Sequence, residues 1–532
     1  MNKVKIAIML LCFGITIAKA QVPVNIEPFS TPFGDFKFRR PVFPNKSVNI
    51  TDFGARAGGK FKNTLAINNA IKKLSKAGGG KVIVSKGIWL TGPIVLLSNV
   101  NLHLEEGAEL LFSQDFNDYL PAVLANFEGS EVYMYSPFIY AYKQENIAIT
   151  GKGVLNGQGK PWWEQRKSPG FGNQRLIEMN ENEVPLKDRL FNSLENYLPP
   201  NFFGPLNCKH ILLEGVSFKY GAFWTINPSF CEDVIIRNIN ILTEGEYGHT
   251  PNGDGINPNS CQNVLIEYNT ISTGDDCITI KSGRNKDGRR IGLPAKNTLI
   301  RHNKGLHGHG GIVIGSEMSG GVENLYAYDC EFNGTDRVIR IKTDRGRGAY
   351  IKNCWFKDIS ADTIQREAIR INMLYSGGNR LPQQEVTSGT PVIENINFDN
   401  ISCKYAKGSV IQIIGLPEMP VNNVTFKNMN LGGKLGIDIK DAKNITLDNL
   451  TISNKVGTPA SIMFSDHIVV NKLKIAETAP EKLPILLNDI HHIKMTNLKY
   501  NIDKEFVKIT GKSESVEFDK TIPEEKIVKE NN

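Results

Sequence analysis

The chain has 532 residues, a formal net charge of +7 and eight cysteines. Its basic excess is small and spread along the sequence, which excludes the dense basic patch of a nucleic-acid-binding protein. The cysteines are too few for a small fold held together by disulfides. Two domains would be the usual expectation at this length, but a repeat architecture also accommodates such a chain as one unit.

The first twenty residues have the features of a secretory signal peptide. Lys3 and Lys5 precede an apolar run, and the segment ends in Ala18-Lys19-Ala20, a small-x-small cleavage pattern. We therefore expect cleavage after Ala20 and a protein that is secreted or periplasmic. No later stretch reaches the roughly 18 to 20 apolar residues that a membrane span requires, so no span is expected.

Residues 63–77 predict an amphipathic helix that ends at three consecutive glycines, residues 78–80. We expect this helix to cover the first coil of a repeat structure. Two segments without the repeat follow at 113–138 and 160–205, and a shorter loop is expected at 284–297. Insertions in repeat proteins lie on one face, often the binding face, so the two long ones are expected to wall a ligand site.

A short phrase recurs along the chain: a polar pair, often with asparagine, then apolar residues that alternate with polar ones, then a small turn. Ile211, Val234 and Val264 hold the same place in three copies, 23 and 30 residues apart. A period of roughly 20 to 30 residues is typical of solenoids, whose units bury their apolar faces only by stacking. The sequence therefore predicts an all-β fold, a right-handed parallel β-helix. Copies begin at Glu145, Cys208, Cys231, Cys261, Val322, Ile393, Asn422, Lys443 and Asp466.

Cys208, Cys231 and Cys261 occupy one register in three copies, which predicts a ladder of buried thiols. The alternative, a set of metal ligands, lacks the close Cys-x-x-Cys spacing of such sites. We expect residues 21–502 to form a single β-helix domain. Residues 503–532 are rich in Lys and Glu and lose the repeat, so a C-terminal cap or tail is expected there.

Four segments between residues 252 and 342 stand out: NGDGINP, TGDDCITIKSG, GHGGIVIGSE and RVIRIKT. Asp254 and Asp276 are 22 residues apart, about one coil, so their carboxylates are expected on adjacent rungs. The intervals from Asp276 to His309 and from His309 to Arg340 are 33 and 31 residues, about one coil plus a loop. The polar groups are therefore predicted to stack along one strip.

The side chains on this strip suit the cleavage of an acidic glycoside. Glycosidic cleavage uses one protonated carboxyl group and a second carboxylate that activates water or attacks the sugar, and clustered carboxylates raise one another's proton affinity. A nearby imidazole tunes the protonation, and two cations on one face of a strand suit a sugar carboxylate. Taken singly, each motif has a simpler explanation as a turn, a structural histidine or a solvated face. The candidates are Asp254, Asp275, Asp276, His309, Arg340 and Lys342.

At these motifs the sequence resembles the polygalacturonases, glycoside hydrolase family 28, whose pattern is Asn-x-Asp, a Gly-x-Asp-Asp-type pair, Gly-His-Gly and Arg-x-Lys in that order. The likeness extends from about Val48 to about residue 480. It implies a right-handed parallel β-helix and hydrolysis of α-galacturonosidic bonds in pectic polysaccharide or oligosaccharide. The matching motifs are Asn252-Gly253-Asp254, Gly274-Asp275-Asp276, Gly308-His309-Gly310 and Arg340-Ile341-Lys342.

The resemblance also implies roles for individual residues. Asp275 would be the general acid, while Asp254 and Asp276 would activate water, which gives inversion at the anomeric carbon. His309 would assist the cluster, and Arg340 and Lys342 would hold the galacturonate carboxylate. Further substrate contacts are expected from Tyr375, Asn252, Lys281, Arg284 and Glu317. Gly253 replaces a threonine that is usual in the family, a change expected to leave activity intact.

The phrases GHGGIVIGSEMSGGV and KSGRNKDGRRIG, together with the insertions, favour the exo-acting bacterial and plant-type branch. Two other classes remain open. A polysaccharide lyase on the same fold would eliminate rather than hydrolyse, and the three aspartates could then hold calcium. A non-catalytic β-helix would only bind carbohydrate. We expect no cofactor and no metal, a monomer, and an acidic, galacturonate-containing polysaccharide or oligosaccharide as the partner.

Overall fold

Short parallel strands, stacked coil upon coil, make up most of the chain in the computed structural model, which describes residues 22–378, 380–502 and 505–530. The chain divides into two units, residues 1–30 and 31–532, and the described part of the first contains no helix or strand. The second unit is a right-handed parallel β-helix, which confirms the predicted fold. The predicted signal peptide lies outside the described residues. Among those that are described, no helix is long and apolar enough to cross a membrane.

The strands that precede the motifs are β1 (Ser47–Asn49), β2 (Gly80–Val84), β3 (Gly87–Thr91), β4 (Ile94–Val95), β5 (Val100–Leu104), β6 (Ala108–Phe112), β7 (Val123–Phe127), β8 (Ser130–Met134), β9 (Ile139–Tyr142), β10 (Glu145–Gly151), β11 (Val154–Asn156), β12 (Leu190–Phe191), β13 (Phe203–Leu206), β14 (Lys209–Glu214), β15 (Ser217–Lys219), β16 (Glu232–Arg237) and β17 (Asn240–Leu242). Apart from β7, β8 and β12, they pair in parallel with strands of neighbouring coils.

The remaining strands are β18 (Gln262–Glu267), β19 (Thr270–Ser272), β20 (Ile278–Ile280), β21 (Ala295–Arg301), β22 (Lys304–His307), β23 (Ile312–Ile314), β24 (Val322–Phe332), β25 (Ile339–Lys342), β26 (Tyr350–Ile364), β27 (Ile369–Asn372), β28 (Val392–Ile414), β29 (Val421–Lys440), β30 (Ala442–Asn454), β31 (Ala460–Glu477), β32 (Ile485–Thr496), β33 (Lys499–Tyr500), β34 (Val507–Thr510), β35 (Glu514–Phe518) and β36 (Ile527–Glu530). The α-helices are α1 (Thr64–Lys76), α2 (Lys160–Gln165), α3 (Asn173–Glu181) and α4 (Asn285–Ile291), and short 3-10 turns lie at Ile50–Phe53, Phe116–Tyr119, Leu186–Asp188 and Glu524–Lys526.

The recurring asparagine of the repeat has a structural cause. At this place each coil turns through a left-handed backbone conformation, which asparagine tolerates better than most residues. Its side-chain amide then donates to the same position of the coil before it; Asn297, for example, donates to Asn263 at 3.1 Å. Asparagines with positive φ form this ladder at positions 146, 263, 297, 324, 353, 395 and 423.

Inside the coils, the alternating apolar residues form one continuous core. Ile211, Val234 and Val264 are all buried and stack in register. Cys208, Cys231 and Cys261 form the predicted ladder of buried thiols, in which the Cys208 N–H donates to the Cys231 sulfur at 3.4 Å. The apolar face of α1 is buried in the same core at the first coils, as predicted for a capping helix.

The two insertions fold together rather than as separate loops. β7 and β8 form an antiparallel hairpin in the first insertion, and β12 of the second insertion extends this hairpin into a three-stranded sheet. Their apolar side chains make a second, smaller core with Phe223 and Trp224 of the β-helix. This shared core fixes both insertions against the coil that precedes the motif residues.

At the C-terminal end the stacking continues past the position where the sequence predicted a cap or tail. β34 pairs with β32, and β36 pairs in turn with β34, both in parallel. The described residues 507–530 therefore still contain coil strands, although their exposed face is rich in Lys and Glu. The polar composition of that face hides the repeat in the sequence.

Candidate active site

Adjacent coils bring the motif aspartates together. Ile256, Ile278, Ile312 and Ile339 align across four coils, and Asp254 and Asp276 each lie two residues before their isoleucine. The Gly255 N–H donates to the Asp276 carbonyl oxygen at 2.9 Å, so the two aspartates occupy neighbouring rungs. This is the arrangement that their spacing predicts.

The three carboxylates form one cluster. One oxygen each of Asp254, Asp275 and Asp276 lies within 4.8 Å of the others. Asp254 and Asp276 are buried at 3% and 1% exposure, whereas Asp275 lines an open cavity of about 560 Å³. Asp275 is therefore the member of the cluster that faces the cleft.

Burial and charge divide the protons of this cluster unequally. Burial, followed by the negative charge of Asp275, raises the pKa of Asp254 well above its usual value. Burial also raises the pKa of Asp275, but the His309 hydrogen bond and the Lys342 charge outweigh it, and the net effect lowers this pKa to about 2. In the ligand-free protein these shifts favour a proton on Asp254 over one on Asp275.

His309 and Asn252 bind the Asp275 carboxylate from outside the cluster. The His309 Nδ1 lies 3.1 Å from Asp275 Oδ1, and the Asn252 amide donates to Asp275 Oδ2 at 3.3 Å. The hydrogen bond to Asp275 raises the pKa of His309 despite some loss from burial. Gly253, the departure from the family pattern, leaves room for Thr250, whose Cγ2 would lie 2.6 Å from an added Cβ.

The hydrogen-bonded pair of His309 and Asp275 predicts a pH-dependent contribution to stability. Because the pKa of His309 is raised in the folded protein, its protonated form stabilises the fold fully below the unfolded histidine pKa of about 6.5. This contribution is lost as the pH rises through the pKa of His309 in the folded protein. Because the pKa of Asp275 is lowered, its carboxylate stabilises the fold fully above the unfolded aspartate pKa of about 3.9. This contribution is lost as the pH falls through the folded pKa of about 2. We expect His309→Gln to lower the thermal midpoint most at about pH 4 to 6.5. An equal loss at every pH would contradict this pairing.

Two cations border the cluster from β25, which lies two coils beyond Asp276. The Lys342 Nζ donates to Asp276 Oδ2 at 2.7 Å, and the Arg340 guanidinium lies 3.9 Å from Asp276 Oδ1. Both side chains lie over the Tyr375 ring, at 5.2 and 5.5 Å from its centroid. As predicted for residues two apart on a strand, they point the same way, and both line the cavity with Tyr375.

Lys281 and Glu317 lie on the other side of the cluster. The Lys281 Nζ donates to Glu317 Oε2 at 2.8 Å and lies 3.9 Å from Asp254 Oδ2. Glu317 was expected to contact sugar, but it is only 7% exposed, and Arg347 binds its second oxygen at 3.3 Å. These contacts leave Glu317 fully engaged by cations, so we propose that it positions Lys281 instead.

Arg284 connects the site to the insertions. Its guanidinium pairs with Glu128 at the tip of the β7–β8 hairpin, and its backbone N–H donates to the Gly129 carbonyl. The predicted loop at 284–297 contains α4, so that part of the prediction is wrong. Asn180 of α3 accepts from the Asp287 N–H at 3.0 Å, a tertiary contact that the local sequence does not encode.

Sequence reasoning missed Trp224, Arg347 and Glu128. The indole of Trp224 lies 4.3 Å from the Lys281 Nζ, and Trp224 stands one coil before Asp254 at the same place relative to the aligned isoleucine. The shared Ile-Asn-Pro at 226–228 and 256–258 was the signal that could have found it. Arg347 and Glu128 carry no comparable signal because their partners are distant in sequence.

The fold and this cluster define a class, parallel β-helix proteins with a carboxylate site in an open cleft. The family model described as "Glycosyl hydrolases family 28" matches residues 191–446. A solved hyperthermoactive exopolygalacturonase from Thermotoga maritima is 38% identical with a TM-score of 0.70, covering 78% of this chain and 93% of that one. This chain therefore belongs to glycosyl hydrolase family 28 and is a glycoside hydrolase, as the motifs predicted.

Curated relatives agree with this assignment. A probable polygalacturonase from Vitis vinifera is 28% identical over 395 residues, which cover 72% of this chain and 74% of the relative. An exo-poly-alpha-D-galacturonosidase from Dickeya chrysanthemi is 25% identical over 434 residues, which cover 77% of this chain and 71% of the relative. The similarity thus extends well beyond the four motifs.

Proposed function

We propose that this protein hydrolyses α-galacturonosidic bonds in pectic polysaccharide or oligosaccharide and releases single sugars from a chain end. The observation that carries the proposal is the cluster of three carboxylates bordered by Arg340 and Lys342 in an open cleft. Cleavage of a glycosidic bond requires carboxyl groups. In a uronic acid polymer each sugar also carries its own carboxylate, which fixed cations beside the carboxyl groups can bind. The names of the relatives support this substrate.

In the proposed mechanism Asp275 is the general acid, and Asp254 and Asp276 activate the attacking water. In the ligand-free protein the pKa shifts instead favour the proton on Asp254. A substrate carboxylate docked on Arg340 and Lys342 offsets the Lys342 charge that lowers the pKa of Asp275. Its own negative charge raises that pKa further, so substrate binding favours transfer of the proton to Asp275.

We propose inversion at the anomeric carbon on the family resemblance rather than on distance. The carboxylate oxygens lie within 4.8 Å of one another, whereas the two carboxyl groups of most inverting glycosidases are about 6.5 to 9.5 Å apart. That rule describes a pair of carboxyl groups on opposite faces of the sugar. Here three carboxylates form one cluster rather than a separated pair, so the rule does not predict the outcome.

Exo action is supported by the position of the insertions, although relatives include both exo- and endo-acting enzymes. The hairpin tip contacts Arg284, three residues beyond Lys281, and Arg189 of the second insertion pairs with buried Asp287 at 3.0 Å. These contacts place folded chain at the Lys281 side of the cluster. A substrate extending in that direction meets the insertions after few sugars. We also propose secretion or export to the periplasm, based on residues 1–20.

Digestion of galacturonate oligomers of defined length tests this function. We expect single galacturonates as the first product, with inverted anomeric configuration by proton NMR, and no loss of activity with a chelator. Longer first products would contradict exo action. An unsaturated product that absorbs in the ultraviolet, lost with the chelator, would instead establish a calcium-dependent lyase using the aspartates as ligands. Absence of any cleavage would favour the carbohydrate-binding alternative.

A further inference from the structure

Arg166 of the second insertion is an unpaired cation next to the active site. It follows α2 directly and is half-buried. Its guanidinium carbon lies 5.0 Å from the centroid of the Phe171 ring and 5.5 Å from that of Phe223. Among the described residues, no carboxylate lies within ion-pair distance of it. The two rings hold the guanidinium in place without neutralising it.

A short series of contacts leads from Arg166 to the aspartates. The Phe223 ring stacks on Trp224 at 5.2 Å, and the Trp224 ring lies 4.3 Å from the Lys281 Nζ. Lys281 in turn lies 3.9 Å from Asp254. Burial lowers the pKa of Arg166, and the charges of Glu128, Tyr197 and Asp275, in decreasing order, act against that effect. Arg166, on the insertion, therefore packs on Phe223 of the coil that precedes Asp254 and lies on that side of the cluster.

Arg340 and Lys342 lie on the opposite side, on coils that follow the cluster. The carboxylates thus have a pair of cations on one side and, on the other, a guanidinium that forms no ion pair among the described residues. A polymer of uronic acids that lies across the aspartates presents one carboxylate on each side of the bond to be cleaved. Arginine is suited to bind a carboxylate through two parallel hydrogen bonds.

We propose that Arg166 binds the carboxylate of the terminal uronic acid, the sugar that is released. This rests on the proposed exo function, and it adds a recognition site that lies entirely on an insertion. The other arginines of that insertion differ from Arg166. Arg189 is buried against Asp287, and Arg175 is exposed on Phe191. Arg166 alone among these three combines a fixed guanidinium, no ion pair and proximity to the cluster.

Kinetics of Arg166→Gln test this proposal, with Arg175→Gln as the matched control on the same insertion. The substrates are a galacturonate trimer and the same trimer with its terminal carboxylate methyl-esterified. On the free acid we expect Arg166→Gln to raise KM about 10- to 100-fold, the range for loss of a charge-assisted hydrogen bond. On the ester, wild type and variant should be equally weak. On the free acid, the KM of Arg166→Lys should fall between those of wild type and Arg166→Gln, and the KM of Arg175→Gln should match that of wild type.

Equal losses on acid and ester would show a structural role, and an unchanged KM on the acid would show no role; either overturns the proposal. A thermal melt checks that each variant is folded. If Arg166→Gln does not fold, Arg166→Lys, which keeps the charge, provides a second measurement. Failure of the exo function has a different signature, since wild type itself would then release no single sugars from the trimer.

Discussion

Replacement of Asp275 by Asn is expected to lower kcat at least about 10²- to 10⁴-fold on galacturonate oligomers, the contribution of a general acid. The substitution keeps the shape of the side chain and one acceptor oxygen, which retains a hydrogen bond to His309 or Asn252, so folding should change little. Turnover near that of wild type would rule out the assignment of Asp275.

The same variant separates the two candidates for the acid. A galacturonide with a good aryl leaving group needs little protonation of the departing oxygen. Removal of the general acid should therefore lower kcat much less on that substrate than on oligomers. We expect this pattern for Asp275→Asn. Asp254→Asn should instead lower kcat by a similar factor on the aryl galacturonide and on the oligomers. The reverse pattern would mean that the proton held by Asp254 in the ligand-free protein is delivered directly.

Replacement of Glu317 by Gln is expected to reduce the free energy of unfolding by about 3–5 kcal/mol at neutral pH, because it leaves buried cations without their partner. Lys281 and Arg347 are 2% and 7% exposed, and both bind this carboxylate. Burial raises the pKa of Glu317, but the two cations outweigh it and lower the pKa well below its usual value. Denaturant unfolding of wild type and variant measures the effect.

The pH dependence of that loss follows from the lowered pKa. The Glu317 carboxylate stabilises the fold fully above the unfolded glutamate pKa of about 4.3, and this contribution is lost as the pH falls through the pKa of Glu317 in the folded protein. The difference between wild type and Glu317→Gln should therefore shrink in acid. Glu477→Gln, which removes an exposed partner of Lys455, is the matched control and should change stability little. A loss for Glu317→Gln as small as in the control would contradict the buried network.

The pattern of local residues was sufficient for the fold and for the strip of site residues. A coil of a β-helix contacts mainly the coils next to it, so the period of the apolar residues determines which side chains stack. The interval between Asp254 and Asp276 therefore predicted their contact without any knowledge of distant segments. The same reasoning held for the cysteine ladder, and for Arg340 and Lys342 on one face of a strand.

The remaining features depended on contacts between segments far apart in the chain. α4 formed where a loop was expected because Asn180, more than a hundred residues away, binds its first turn. Glu317 lies beneath Lys281 because Arg347, from a later coil, holds its second oxygen. Arg166 lies over the Phe223 ring, and Phe223 belongs to the core that the two insertions share with the β-helix.

The sequence by itself determined the β-helix and the order of the three aspartates along it, since both follow from a local repeat. Only the tertiary structure decided which aspartate has the raised pKa. The pKa of a carboxyl group depends on its burial and on every nearby charge, and these arrive from several coils and from the insertions. The pKa of Asp254 is raised because this residue is buried beside Asp275, while His309 and Lys342 lower the pKa of Asp275 at the edge of the cleft.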